Sequence, residues 1–167
     1  ALDRAIASGV RRVQLRSDAT ESWASVVEEA VCRCRAAGVD VLVNADVELA
    51  RALGVGVHLK SSQLAGLEAR PLPDALPVAA SCHDAGDLAH AERLRCDFAV
   101  LGHVAPTPSH PHAPPLGWDG FAALREETSL PLYAIGGLGP ADFDAAREHG
   151  AQGIAAIRAF WPGFEAT

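Results

Sequence analysis

Residues 97–112 read DFAVLGHVAPTPSHPH: an apolar, β-forming run closes on a glycine and opens at once into a loop of proline, hydroxyl and histidine. A short apolar run bounded by an acid and a glycine has the length of a buried strand rather than of a helix. The unit recurs. RRVQLR (11–16), VDVLVN (39–44), VGVHL (55–59), PVAASC (77–82), PLYAIG (131–136) and QGIAAI (152–157) are runs of the same kind, and helical patterns lie between them. The clearest helix holds Trp23, Val26, Val27, Ala30, Val31 and Cys34 on one face. Weaker patterns cover 45–53, 84–95, 117–128 and 139–149, and ALDRAIASG opens the chain as a further helix.

Alternating strands and helices mean parallel strands joined by right-handed crossovers, so the fold class is α/β. An open doubly wound sheet would gather its ligand residues at one switch point, whereas here polar residues follow almost every strand and the last two strands end in glycine-rich turns. The expected fold is therefore a (β/α)8 TIM barrel whose first strand lies ahead of residue 1. A single domain over 1–167 follows, and the lack of any methionine leaves the chain without a natural start, so it is expected to be a piece of a longer protein. The gap left by the missing strand exposes two edges, which a preceding segment or a partner surface, a second copy included, is expected to cover.

A net charge of -7 and no Lys/Arg run exclude a general nucleic-acid or anionic-membrane partner. No apolar stretch approaches the roughly 20 residues of a membrane span, and the acid and arginine of the first residues do not make a signal peptide, so a cytoplasmic location is expected. Cys32, Cys34, Cys82 and Cys96 form no CxxC pair and are expected to be reduced, mostly buried side chains.

The strand ends carry Gln14 and Arg16, Asn44, His58, Ser81 and His83, His103, then Thr107, Ser109 and His110, then Gly136 and Gly137, then Arg158. A guanidinium, loop hydroxyls and exposed backbone N–H groups at one mouth suit a small phosphorylated molecule. The GG pair alone is also explained by a turn that needs positive φ. Histidines near one face raise a metal site, but no pair has i, i+4 spacing, and the carboxylates near the strand ends are only Asp18, Asp46 and Asp84. Neither a metal nor a resident cofactor is expected.

Taken together, VQLRSD, VLVNADVELA, VGVHL, SCHD, DFAVLGHVAPTPSH, LPLYAIGGLGPADF and GAQGIAAIRAFW resemble the thiamine phosphate synthase and thiazole tautomerase group of (β/α)8 barrels, over residues 9–161. SHPHAPPLGWDGFAAL and AAIRAFW look most like the synthase-like C-terminal domain that some bacteria fuse to a Nudix hydrolase, which implies an upstream Nudix domain as a fused partner. The synthase branch joins a pyrimidine diphosphate to a thiazole phosphate with Mg²⁺. Its Gln-x-Arg-x-Lys matches Gln14 and Arg16 but meets Asp18 at the lysine. Its strand-end asparagine matches Asn44, but its two metal-binding aspartates fall on Ala45 and Gln63. Its Thr-x-Thr-Lys loop becomes Thr107, Pro108, Ser109 and His110.

Aspartate in place of lysine repels a diphosphate, and lost carboxylates remove the metal that would neutralise it. The tautomerase branch lacks the same apparatus, and its catalytic histidine matches His103 in LGHV. The resemblance therefore implies a metal-free proton shift on a thiazole phosphate. His103 is the expected acid/base. Gln14, Arg16, Asn44, His83, Thr107 and Ser109 are the expected substrate contacts, and Gly136, Gly137, Ile157 and Arg158 the phosphate site. A non-catalytic ligand-binding or scaffold domain is the alternative, and an active synthase a further one.

Overall fold

A computed structural model describes residues 2–16, 23–109 and 111–160. Seven parallel strands lie in sequence order: β1 (Arg12–Leu15), β2 (Asp40–Asn44), β3 (Gly56–Leu59), β4 (Val78–Cys82), β5 (Phe98–Gly102), β6 (Leu132–Ile135) and β7 (Gly153–Ala155). The helices are α1 (Leu2–Ala7), α2 (Trp23–Ala36), α3 (Val47–Leu53), α4 (Ser61–Gly66), α5 (Ala85–Arg93), α6 (Gly117–Arg125) and α7 (Phe143–Glu148).

Alternation along each strand divides the core in two. One face, with Val43, Val57, Ala80 and Leu101, packs under helix residues such as Val31, Leu88 and Phe121. The other face, with Leu42, Ala79, Phe98 and Val100 beside Tyr133, Ile135 and Ala155, packs against itself. That is possible only in a rolled sheet.

Arg12 measures the roll. Its guanidinium lies 4.4 Å over the Phe98 ring of β5 and 5.8 Å from the Tyr133 ring of β6, donates to the Tyr133 hydroxyl at 3.3 Å, and pairs with Asp40 at 2.9 Å. In a flat sheet β1 and β5 would stand roughly 19 Å apart, at about 4.8 Å per strand. The barrel expectation holds, as seven strands of a roll. Among the described residues β1 pairs only with β2 and β7 only with β6, so the roll opens between those two edges.

Three local expectations change. Helix α4 has no helical pattern in the sequence, because SSQLAG holds only the adjacent Leu64 and Ala65 as apolar side chains. The pattern over 139–149 is broken: a 3₁₀ turn (Pro140–Asp142) precedes α7, with Asp142 accepting from the Gly139 N–H at 2.8 Å. Strand β7 is three residues, not six.

The amino-terminal end of the sheet is braced by two charged groups. Arg70, whose side chain is 7 % exposed, bonds Asp97 at 2.8 Å and the carbonyls of Leu76 and Arg95. Asp97 in turn accepts from the N–H of Val78 at 2.7 Å, so the segment between α4 and β4 is clamped beneath β5. Glu92 of α5 accepts from the Ser129 N–H, the Thr128 hydroxyl and the Ser129 hydroxyl, and those bonds hold its carboxyl below the usual range. Cys34, Cys82 and Cys96 are buried and Cys32 is exposed. Burial pushes Cys82 up to about 12 and Cys96 up to about 11, so both stay as inert thiols. No helix among the described residues is long and apolar enough to cross a membrane.

Replacing Arg12 with alanine removes the stack, the ion pair and the packed stem together. A loss of about 2 kcal/mol is expected, read as a lower denaturant midpoint at unchanged slope.

Candidate functional site

The carboxyl ends of β1 to β4 form a continuous polar arc. Gln14 donates through Nε2 to Oδ1 of Asn44 at 2.6 Å. Asn44 is in register with His58 of β3, and Nε2 of His58 lies 2.8 Å from Oγ of Ser81 on β4. All four sit at the strand ends on the inner face. His58 is 5 % exposed, and its burial lowers the imidazole pKa to about 4. It is therefore neutral at pH 7, with one ring nitrogen as donor and one as acceptor. The sequence places His58 and Ser81 at strand ends, with Ser81 lining the mouth, but neither is among the expected substrate contacts. Their shared parity with Asn44 across the register was the signal that could have added them.

The other expected residues divide. Nδ1 of His83 lies 2.7 Å from the Gly102 carbonyl, and its N–H donates to Asp87 at 2.9 Å, so His83 ties the end of β4 to the end of β5. His103 is 9 % exposed. Its Nε2 lies 3.2 Å from the Ala113 carbonyl, and its own carbonyl accepts from the Leu116 N–H at 2.9 Å, so it fastens both ends of the loop that follows β5.

Gly136 packs on it. A Cβ there would stand 2.2 Å from Cβ of His103, and its φ is +101°. Gly137, at φ +69°, would bring a Cβ to 2.6 Å from the Pro106 carbonyl. Close packing thus requires both glycines, whatever they bind. Thr107, also nearly buried, accepts from Nη2 of Arg158 at 3.3 Å, joining the same loop to the turn after β7. Ile157 is 49 % exposed beside that turn, and Arg16 and Ser109 are exposed. Asp18 and His110 lie outside the described residues.

The place where resemblance puts magnesium carboxylates is filled differently. Gln63 donates through Nε2 to the Ala45 carbonyl at 2.8 Å, and its Oε1 accepts from the Lys60 N–H at 3.2 Å. The Ala45 carbonyl and Gln63 Oε1 each spend a lone pair on an N–H, and neither brings the negative charge with which a carboxylate holds a hard cation. The nearby carboxylates have other work. Asp46 caps α3 through the Leu49 N–H at 2.9 Å, and Asp84 caps α5 through the Asp87 N–H at 2.8 Å. Among the described residues no three His, Cys, Asp or Glu gather as metal ligands. This donor set does not fit a magnesium ion.

The family pattern described as thiamine monophosphate synthase matches residues 1–160. The thiamine-phosphate synthase of Chloroflexus aurantiacus is 32 % identical over 163 residues, which span 95 % of this chain and 75 % of that one. The thiamine biosynthesis bifunctional protein ThiM/ThiE of Symbiobacterium thermophilum is 35 % identical over 164 residues, 95 % of this chain and 34 % of that longer one. Among solved structures, thiamine phosphate pyrophosphorylase from Pyrococcus furiosus superposes with a TM-score of 0.78 at 22 % identity, covering 95 % of this chain and 78 % of its own.

Two outcomes are expected. Gly136→Ala forces a Cβ into His103 at a positive φ and should cost about 3 kcal/mol or more, seen in thermal melting. His58 stays neutral in the fold down to about pH 4, while unfolded it protonates near 6.5. Between those values the unfolded chain binds more protons, so stability is complete above the upper value and falls as pH drops toward the lower. In His58→Gln that slope should vanish from denaturation midpoints measured across the window.

Proposed function

The chain belongs to the thiamine monophosphate synthase family, and from that premise we propose that its barrel mouth binds a thiazole phosphate or closely similar phosphate ester used in making thiamine phosphate. The observation that carries this reading is the convergence of Gln14, Asn44, His58 and Ser81 on one rim, with Thr107 and Arg158 bonded beyond β5 and β7 at the same carboxyl end of the sheet. The arc offers donors and acceptors to a heteroaromatic ring. Arg158 and the backbone about Gly136 and Gly137 take the phosphate, with Ile157 beside them, and Arg16 and Ser109 reach the ligand from the rim.

For the reaction, two readings have separate support. The names of the relatives favour coupling of a pyrimidine diphosphate to the thiazole phosphate. By resemblance that reaction relies on a magnesium ion, which this donor set does not fit. The Gln63 to Ala45 bond favours the metal-free alternative, in which His103 takes a ring proton from a carboxythiazole phosphate and a proton returns to the exocyclic carbon. Imidazole suits both halves of that exchange. For it, Nε2 of His103 must release the Ala113 carbonyl and turn to the ligand. His83, through Gly102, holds the strand end from which His103 departs. The resemblance to Nudix-fused domains supports a longer chain in which this barrel follows a hydrolase.

The test uses purified protein with thiazole phosphate, measured for thermal stabilisation and then for turnover in two assays. One supplies the pyrimidine diphosphate and magnesium, the other the carboxythiazole phosphate alone. Stabilisation is expected at ligand concentrations well above the dissociation constant. Thiamine phosphate formation assigns the coupling reaction. Aromatisation that falls at least about a hundredfold in His103→Ala assigns the proton shift, and stabilisation without either product leaves a binding domain. No stabilisation and no product would refute the ligand class.

A further inference from the structure

Strand β2 ends at Asn44 and α3 begins at Val47, so Ala45 and Asp46 make the whole turn from strand to helix. Ala45 makes it in the left-handed region, at φ +66°. Asparagine and aspartate settle there readily because their short polar side chains bond the local backbone, and alanine has no such help. The conformation must therefore be held from outside. The Ala45 N–H donates to the His58 carbonyl at 2.9 Å, and the Asp46 N–H donates to the Asn44 carbonyl at 2.8 Å. The Ala45 carbonyl accepts from Nε2 of Gln63, a side chain of another element, at 2.8 Å.

Gln63 is the third residue of α4, and its Oε1 accepts from the Lys60 N–H at the start of that helix, at 3.2 Å. An N–H on one side and a carbonyl on the other leave a single orientation of the amide that satisfies both. A glutamate of the same length would keep the first bond and set an oxygen against the Ala45 carbonyl. The side chain thus ties the end of β2 to the start of α4, at the place where resemblance would put a divalent ion between two carboxylates. What it ties bears on the rim. Asn44, one residue before Ala45, accepts from Gln14 of β1 at 2.6 Å, so a shift of the turn moves the acceptor on which Gln14 rests.

We propose that Gln63 is a positioning residue for the rim: its amide holds the left-handed turn at Ala45, sets the places of Asn44 and Gln14, and does so without a divalent ion. It touches no ligand in this role and acts through the backbone. Its effect on binding rests on the reading of the mouth as a phosphate-ester site, whereas its effect on the turn does not. The role carries a specific compensation. Asparagine at position 45 bonds its own backbone in the left-handed region, so Ala45→Asn frees the turn from its dependence on Gln63.

Amide hydrogen exchange and calorimetric binding of thiazole phosphate, each in EDTA and in excess magnesium, test this on wild type, Gln63→Glu, Gln63→Ala and the double variant Gln63→Ala with Ala45→Asn. In both single variants, exchange at the Ala45 and Asp46 N–H groups should quicken by about tenfold or more, and thiazole phosphate should bind about fivefold or more weakly. The double variant should bring both back to within about twofold of wild type, a rescue that a general loss of packing would not show. In wild type, magnesium should change neither quantity by more than about twofold. Unchanged exchange in the single variants, no rescue in the double one, or a larger magnesium effect on wild type overturns the inference. Exchange that quickens while binding stays equal overturns it too, leaving Gln63 a structural tie. If thiazole phosphate fails to bind wild type in either buffer, the reading of the mouth falls, and the exchange rates alone decide whether Gln63 holds the turn.

Discussion

A guanidinium lying between two aromatic rings inside the sheet sets the geometry on which everything else depends. Arg12 leaves β1 and comes to rest on Phe98 of β5 and Tyr133 of β6, with Asp40 completing its charge. Arginine is suited to this because its planar, weakly hydrated cation can stack and pair at once. Once β1 is drawn toward β5, the inner faces of all the strands must share one narrow space. Small and apolar residues such as Ala79 and Val100 fill its middle, and the polar residues a layer above are forced to meet. Gln14 is two residues above Arg12 on the same face, so the plug at the floor determines where the rim begins.

The rim is stable because its polar groups satisfy one another. Gln14 with Asn44 fixes the exposed part of the rim, and the bond of His58 to Ser81 offsets the cost of taking an imidazole out of water. A ligand gains only if it returns bonds of equal quality. Under the proposed function, selectivity would therefore lie in matching a donor and acceptor pattern rather than in hydrophobic volume. The histidine kept neutral by burial sharpens this, since a cationic imidazole would offer no acceptor at all.

The alternation of strands and helices, the parallel sheet and the crowding of polar residues at one end were legible in the sequence, because periodicity and strand-end chemistry are local properties. The helical face from Trp23 to Cys34 is an example: Val27, Ala30, Val31 and Cys34 are buried, while Val26, expected on the same face, is exposed. What was not legible was pairing. His83, expected at the ligand, lies against the Gly102 carbonyl, and His103, expected as the acid/base, is nearly buried with Nε2 at the Ala113 carbonyl. Gly136 and Gly137 suggested an anion cradle, and the Cβ contacts they avoid come from residues more than thirty positions away in sequence. Helix α4 is short enough that no periodicity could report it, and its Gln63 is the residue that changes the metal argument.

The braces at the far end of the barrel have an evolutionary consequence. Arg70 with Asp97 and Glu92 with Ser129 lie at the amino-terminal end of the strands, a full strand length from the mouth. Neither shares a partner with Gln14, Asn44, His58 or Lys60, and substitutions that share no partner combine nearly additively. Residues at the rim can therefore be exchanged without drawing down the stability held at the other end. A lineage that lost two carboxylates and a lysine could keep the same folded vessel while its chemistry drifted.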